Sequence, residues 1–119
     1  MESIDRSGMT VRVQGGGADL RTTQGGDMTV AWVQLDKGAN LAPALVGLPG
    51  DLCQCPHWGY VIKGKVRMKT ASGSKDYSAG QAFYWDPGHA PEALEDSEYV
   101  DVSPTVEFEE VLQHISGGG

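Results

Sequence analysis

The sequence lacks a long hydrophobic run. No apolar stretch approaches the roughly 20 residues that cross a bilayer, which argues against a membrane-spanning helix. Positive charge is also scarce, with 9 Lys and Arg against 16 Asp and Glu and a formal net charge of −7. Such a field repels phosphate backbones and anionic lipids, so neither nucleic acid nor a membrane is expected as a partner. The first ten residues lack a cationic start followed by an apolar core, so we expect no secretory signal and a cytoplasmic location.

Cysteine is scarce as well, with two residues, Cys53 and Cys55. A disulfide between them is disfavoured, because alternate Cα atoms of an extended strand lie near the upper limit of about 6.8 Å and their Cβ vectors run parallel. A reducing cytosol also works against a bridge. Two alternatives remain. The thiols are buried without a chemical role, as free cysteines often are, or they belong to a metal-binding or reactive site, which we favour.

Long helical patterns are absent from most of the chain, and 17 glycines among 119 residues indicate many turns. The length suits one domain, residues 1–119. Short apolar-polar alternations predict seven or eight strands. The segments concerned are residues 9–14, 28–35, 58–62, 66–70, 76–78, 81–85 and 98–102. Residues 39–50 contain two prolines and two glycines, which argues against a helix and favours an edge strand or a packed loop. The pattern predicts an all-β barrel or sandwich.

The end of the chain is of a different kind, since it predicts one amphipathic helix over about residues 104–115. Ser103 is the expected N-cap and Pro104 the expected first-turn proline. Apolar residues at i, i+3, i+4 and i+7 spacing, from Phe108 to Ile115, form one stripe. The helix is expected to pack on the domain or against a second copy. Residues 117–119 are expected to be disordered.

The segment from Cys53 to His57 carries three candidate metal ligands, Cys53, Cys55 and His57, spaced two residues apart. If the segment is extended, alternate side chains share one face, so all three point the same way. Thiolate and imidazole are ligands for zinc, copper and ferrous iron. The segment therefore predicts a metal site.

The region from about residue 28 to residue 102 resembles the cupin family of small jelly-roll barrels. In the first cupin motif, two histidines precede a glutamate, and a glycine lies seven residues after that glutamate. His57 lies seven residues before Gly64 and so occupies the glutamate position, with Cys53 and Asp51 at or near the two histidine positions.

The second cupin motif is also recognisable. Gly80 and Gly88 fit its two glycine positions, but Pro87 follows one residue late and position 91 is proline rather than histidine. The nearest imidazole is His89. The fifteen residues between Gly64 and Gly80 match the compact spacing of single-domain cupins.

The resemblance implies a jelly-roll barrel with a metal site of altered ligands at its mouth, or one that has lost its metal. The altered set is Cys53, Cys55, His57 and His89, with Asp51 more simply a loop residue. Such a set favours zinc, copper or ferrous iron. Trp32 and Trp85 are the candidate pocket-lining residues. The resemblance also implies a homodimer.

Two functional hypotheses follow from this ligand set. The first is a metal-dependent oxygenase, isomerase or lyase that acts on a small organic molecule. The second is a non-catalytic metal-binding, small-molecule-binding or sensing module. An open coordination position favours the first hypothesis and a closed tetrahedral site favours the second.

Overall fold

The computed structural model describes residues 1–117, and within them the chain forms nine strands. They are β1 (Thr10–Gly15), β2 (Ala18–Gly25), β3 (Met28–Leu35), β4 (His57–Lys63), β5 (Lys65–Thr70), β6 (Gly73–Ser78), β7 (Ala82–Trp85), β8 (Ala90–Ala93) and β9 (Ser97–Pro104). The helices are α1 (Ala42–Leu45) and α2 (Thr105–Ser116), with 3₁₀ turns at Arg6–Gly8 and Pro49–Asp51.

All strand pairs are antiparallel and form two sheets. Among the described residues the large sheet has the order β1-β2-β3-β9-β4-β7, and the small sheet has the order β6-β5-β8. Alternate residues of both sheets enter a single core, for example Val33 from β3 and Val66 from β5, which are 1% and 0% exposed. The predicted all-β barrel with one C-terminal helix is confirmed.

The barrel extends further toward the N-terminus than residue 28, because β1 and β2 belong to the large sheet. Sequence analysis did not predict β2, whose inward face includes the polar Thr22, 6% exposed, and so weakens the apolar alternation. It also did not predict β8, where Pro91 interrupts the pattern. Because β8 is an edge strand of the small sheet, a missing N–H donor is tolerated there.

Two local predictions were wrong. Residues 39–50 contain the one-turn helix α1 with Pro43 near its start, where a missing N–H costs nothing. The segment from Cys53 to His57 is not one continuous strand: Cys53 forms an isolated bridge with His89, and regular pairing begins at His57. Pro56 lies between the two and has no N–H to donate to a strand partner.

Helix α2 closes one end of the barrel with the predicted stripe, and Phe108, Val111 and Leu112 are buried. Polar contacts also hold it in place: Arg12 of β1 pairs with Glu109 at 2.6 Å, and His114 Nε2 lies 2.8 Å from the Val46 carbonyl oxygen. No helix in residues 1–117 is long and apolar enough to cross a membrane.

The predicted N-cap was wrong, because Pro104 occupies the cap position and Ser103 still belongs to β9. Ser103 is fully buried, and its hydroxyl serves the site described below. The prediction of disorder for residues 118 and 119 lies outside the described residues.

Candidate metal centre

Three side chains with metal-binding atoms meet inside the barrel: Cys53, His57 and His89. Their ligand atoms all lie within 4.8 Å of one another, and the residues are 5%, 5% and 2% exposed. Cys53 Sγ lies 3.7 Å from His57 Nε2. In a tetrahedral zinc site with ordinary Zn–S and Zn–N bond lengths, the sulfur and nitrogen ligand atoms lie about 3.6 Å apart. This pair is therefore at the spacing of zinc ligands, and one sulfur with two imidazoles is a donor set that suits zinc.

Main-chain hydrogen bonds hold two of these residues together. The Cys53 N–H donates to the His89 carbonyl oxygen at 2.8 Å, and the Gly88 N–H donates to the Cys53 carbonyl oxygen at 2.7 Å. The third residue, His57, begins β4 and is paired with Trp85 of β7. The backbone therefore sets the positions of all three residues.

The outward nitrogen of each histidine has its own polar partner. His89 Nδ1 donates to the Asp86 carbonyl oxygen at 2.7 Å, which leaves Nε2 as the unprotonated nitrogen. His57 Nδ1 bonds to Ser103 Oγ, and that hydroxyl donates to Asp101 Oδ1 at 3.2 Å. Because Ser103 gives its proton to Asp101, its oxygen accepts from His57, whose Nε2 faces Cys53. Partners of this kind orient histidines that bind metals.

Burial disfavours the charged form of each titratable group at the metal-free site. It lowers the pKa of His57 to about 3, with a further contribution from nearby His89, and it also lowers the pKa of His89. Burial raises the pKa of the Cys53 thiol to about 11 and that of Asp101 to about 7. Neutral imidazoles are the form that binds metal, whereas the thiol must lose its proton when a metal binds.

A small cavity of about 40 Å³ adjoins the three ligands. Its walls are mostly apolar and include Leu20, Val33 and Trp85. Phe108 of α2 also lines it, and its ring centroid lies 5.3 Å from that of His57. This volume holds a water molecule or a similarly small ligand, and not an organic substrate.

The other predicted site residues lie in different surroundings. Cys55 is fully buried, but its Sγ lies 3.5 Å from the Pro56 carbonyl oxygen and is not part of the cluster of three ligands. Both cysteines are free thiols. Trp32 lies between the buried Ala31 and Val33, so its side chain is on the opposite face of β3, where Nε1 donates to Glu98 at 2.6 Å.

Trp85 lines the cavity, and its predicted part in substrate binding stays a prediction. Sequence reasoning missed Asp101 and Ser103. The alternation along β9 could have revealed them, because it places both on the inward face with Tyr99. A carboxylate on an inward face needs a specific partner.

No protein-family model and no curated protein matches the sequence. Solved structures do match. An RmlC-like cupin from Shewanella frigidimarina NCIMB 400 superposes with a TM-score of 0.63 at 18% identity, over 85% of this chain and 88% of that one. KdgF from Halomonas sp. gives a TM-score of 0.64 at 24% identity, over 87% and 94% of the two chains.

Oxalate decarboxylase OxdC from Bacillus subtilis gives a TM-score of 0.63 at 21% identity, over 82% of this chain and 28% of its own. Identities this low relate architecture rather than chemistry. The fold of this chain is that of the cupins.

Proposed function

We propose that this protein is a metal-binding cupin that acts on a small organic molecule, with the metal held by Cys53, His57 and His89. The observation that carries the proposal is the convergence of three buried donor atoms within 4.8 Å. The two histidines are already fixed through their opposite nitrogens. A metal-free core has little reason to bury two imidazoles and a thiol side by side with these orientations.

The donor set favours zinc, iron or copper. The Bacillus subtilis oxalate decarboxylase is described with Mn(II) centres. A thiolate ligand is softer than imidazole or carboxylate and shifts the preference away from manganese. The bound metal would supply Lewis acidity or redox chemistry, according to its identity.

Three protein ligands leave a fourth position, which is the arrangement of catalytic rather than structural sites. The cavity beside the ligands accommodates a water molecule there. Ser103 and Asp101 would hold His57 in the tautomer that presents Nε2. Phe108 and its apolar neighbours would exclude bulk water from the ligands.

A second candidate function is a non-catalytic metal or redox sensor, and Cys55 favours it. This thiol is fully buried two residues from Cys53, and it would become a fourth ligand if the Cys53–Pro56 segment rearranged to turn it toward the metal. Four protein ligands would close the coordination sphere and make the site structural or sensory.

Elemental analysis of protein purified without an affinity tag and under reducing conditions tests the proposal. We expect about one metal ion per chain, with loss of the metal in Cys53→Ala, His57→Ala and His89→Ala. Cys55→Ala is the matched control, because it removes a buried thiol from the same segment. Retention of metal in this control supports the three-ligand site, and loss supports the closed, sensory site. No metal in the wild-type protein, even after reconstitution, would overturn both.

A further inference from the structure

A second and larger cavity opens to solvent at the barrel mouth, with a volume of about 280 Å³. One wall is the inward face of the β5–β6 hairpin, where Met68 pairs with Lys75 and Val66 pairs with Tyr77. The opposite wall is formed by Trp85 and the turn that follows it, to His89. We call this cavity the mouth groove. Its size suits a small organic molecule.

The mouth groove reaches the candidate metal centre. Trp85 and His89 line both the groove and the inner cavity, so these two side chains separate the two spaces. A molecule in the groove would lie against the outer side of His89, one of the three ligands. The groove therefore lies on one side of the candidate centre, and α2 covers the centre from another side.

The groove contains a cation, Lys75, that forms no ion pair with the described residues. Lys75 projects from the inward face of β6, and its Nζ lies 5.4 Å from the centre of the Tyr77 ring. Among residues 1–117 no carboxylate lies within ion-pair distance of this ammonium group, although Lys69 and Arg67 on neighbouring β5 both have acidic partners. The ammonium group is thus available to an anion in the groove.

Trp85 forms a buried and rigidly held part of the groove's inner wall. The Trp85 side chain is 3% exposed, and its indole N–H has no hydrogen-bond partner in the part of the chain that the structure describes. A buried N–H that lacks a partner costs about 1–3 kcal/mol. Phe83 stacks on the indole and Tyr77 contacts it in a T-shaped arrangement, so the indole cannot readily turn, and its buried N–H stays out of reach of a molecule in the groove.

We propose that the mouth groove binds a small organic carboxylate. The carboxylate would pair with Lys75, while its apolar body packs against Met68 and Tyr77. The inference rests on the proposed function insofar as this carboxylate is the molecule on which the metal centre acts. Binding itself requires only the groove. Asp86 also lines the groove and opposes an anion, so its charge weakens binding and limits affinity.

Three probes of similar shape and different charge test the proposal: benzoate, benzamide and benzylammonium. The indole N–H resonances of ¹⁵N-labelled protein report binding, and Trp32→Phe and Trp58→Phe assign the other two tryptophans and leave the Trp85 signal. We expect benzoate to shift the Trp85 resonance saturably, because Trp85 lines the groove, benzamide to bind more weakly and benzylammonium not to bind. Stronger binding of benzylammonium would overturn the proposal.

Substitution of the charged residues of the groove is the second test of the proposal. Lys75→Met removes the cation and keeps the length of the stem, and it should weaken benzoate about fivefold, as expected for a partly exposed ion pair. Asp86→Asn should strengthen benzoate binding by a similar factor. Lys37→Met is the matched control, because it changes the net charge equally outside the groove and should leave affinity unchanged. Equal weakening by both lysine variants would overturn the local contact.

The same titrations on metal-free and zinc-loaded protein separate this proposal from the preceding one. Benzoate binding that depends on Lys75 in a protein that takes up no zinc supports the groove and refutes the metal function. Zinc uptake without saturable benzoate binding refutes the groove and leaves the metal centre. Inorganic phosphate that displaces benzoate at equal concentration would show that the organic body contributes nothing, and would overturn a carboxylate-specific groove.

Discussion

Ser103→Ala removes the single hydroxyl that connects His57 to Asp101. In the structure Ser103 is fully buried, accepts the Nδ1 proton of His57 and donates to Asp101. The direct distance from His57 Nδ1 to Asp101 Oδ1 is 3.7 Å, too long for a hydrogen bond. The substitution therefore leaves a buried donor and a buried acceptor unpaired, without changing any metal ligand.

Ser103→Ala should change two measurable quantities, the free energy of unfolding and the zinc affinity. The metal-free protein should lose about 2 kcal/mol of unfolding free energy, because an unpaired buried polar group costs about 1–3 kcal/mol. Zinc affinity should fall about 10- to 100-fold, the usual effect of removing the hydrogen-bond partner of a metal-binding histidine. At free zinc about 100 times the wild-type Kd, metal stabilisation is about 2.7 kcal/mol in the wild type. In the variant it should fall to between about 0.4 and 1.4 kcal/mol.

Competition with a chromogenic chelator measures the zinc Kd, and urea unfolding with and without zinc measures the two stabilities. Ser97→Ala is the matched control, because Ser97 is also on the inward face of β9 and 4% exposed, but its hydroxyl bonds to Lys65 and Glu95. It should cost stability and leave the Kd unchanged. Wild-type zinc affinity in Ser103→Ala would refute the role of this hydroxyl in orienting His57.

Three further predictions concern the surroundings of the site. In the metal-free folded protein Asp101 has a pKa of about 7, so it keeps a proton that it loses above pH about 4 in the unfolded state. His57 has a pKa of about 3 in the folded protein, so it stays unprotonated where the unfolded state binds a proton, below pH about 6.5. The two effects offset between these pH values. Asp101→Asn should therefore make the free energy of urea unfolding fall with acidification from pH about 6.5 to 4, by up to about 1.4 kcal/mol per unit relative to wild type. If the unfolding free energies of Asp101→Asn and the wild type changed in parallel with pH, Asp101 would not be the group that holds this proton. Phe108→Ala should cost about 3–5 kcal/mol and accelerate zinc release to a chelator, whereas an unchanged release rate would show that α2 does not limit access. Gly59→Ala should cost about 1–3 kcal/mol in urea unfolding, because its Cβ would overlap the β9 backbone, whereas Gly25→Ala has open space around it. Equal costs for the two glycine variants would refute this steric reason.

Local patterns of the sequence predict much of the fold. Val66 and Met68 alternate with charged residues, and this alternation places β5 correctly because a half-buried strand repeats every two residues. Strand β8 gives no such signal, since Ala90–Ala93 is four residues long and includes a proline. Its position depends on pairing with β5, a tertiary contact that no local pattern encodes.

The site is predictable to a different degree. Residue type alone selects Cys53, His57 and His89, because few other side chains bind soft or borderline metals. The separation of Cys55 from these three depends on the backbone path around Pro56, which a spacing argument from an ideal strand does not capture. Ser103 illustrates the opposite error. Its position before a proline and a helix favours a cap, and burial against His57 overrides that local preference.

The main-chain pairing of Cys53 with His89 has a consequence for the metal preference of the proposed site. Their Cα positions are set by amide and carbonyl groups that every residue except proline possesses. A single substitution at position 53, to histidine or aspartate, would therefore exchange a soft ligand for a harder one on an unchanged scaffold. Natural variation or redesign could in this way change which metal the site prefers without changing the architecture of the barrel.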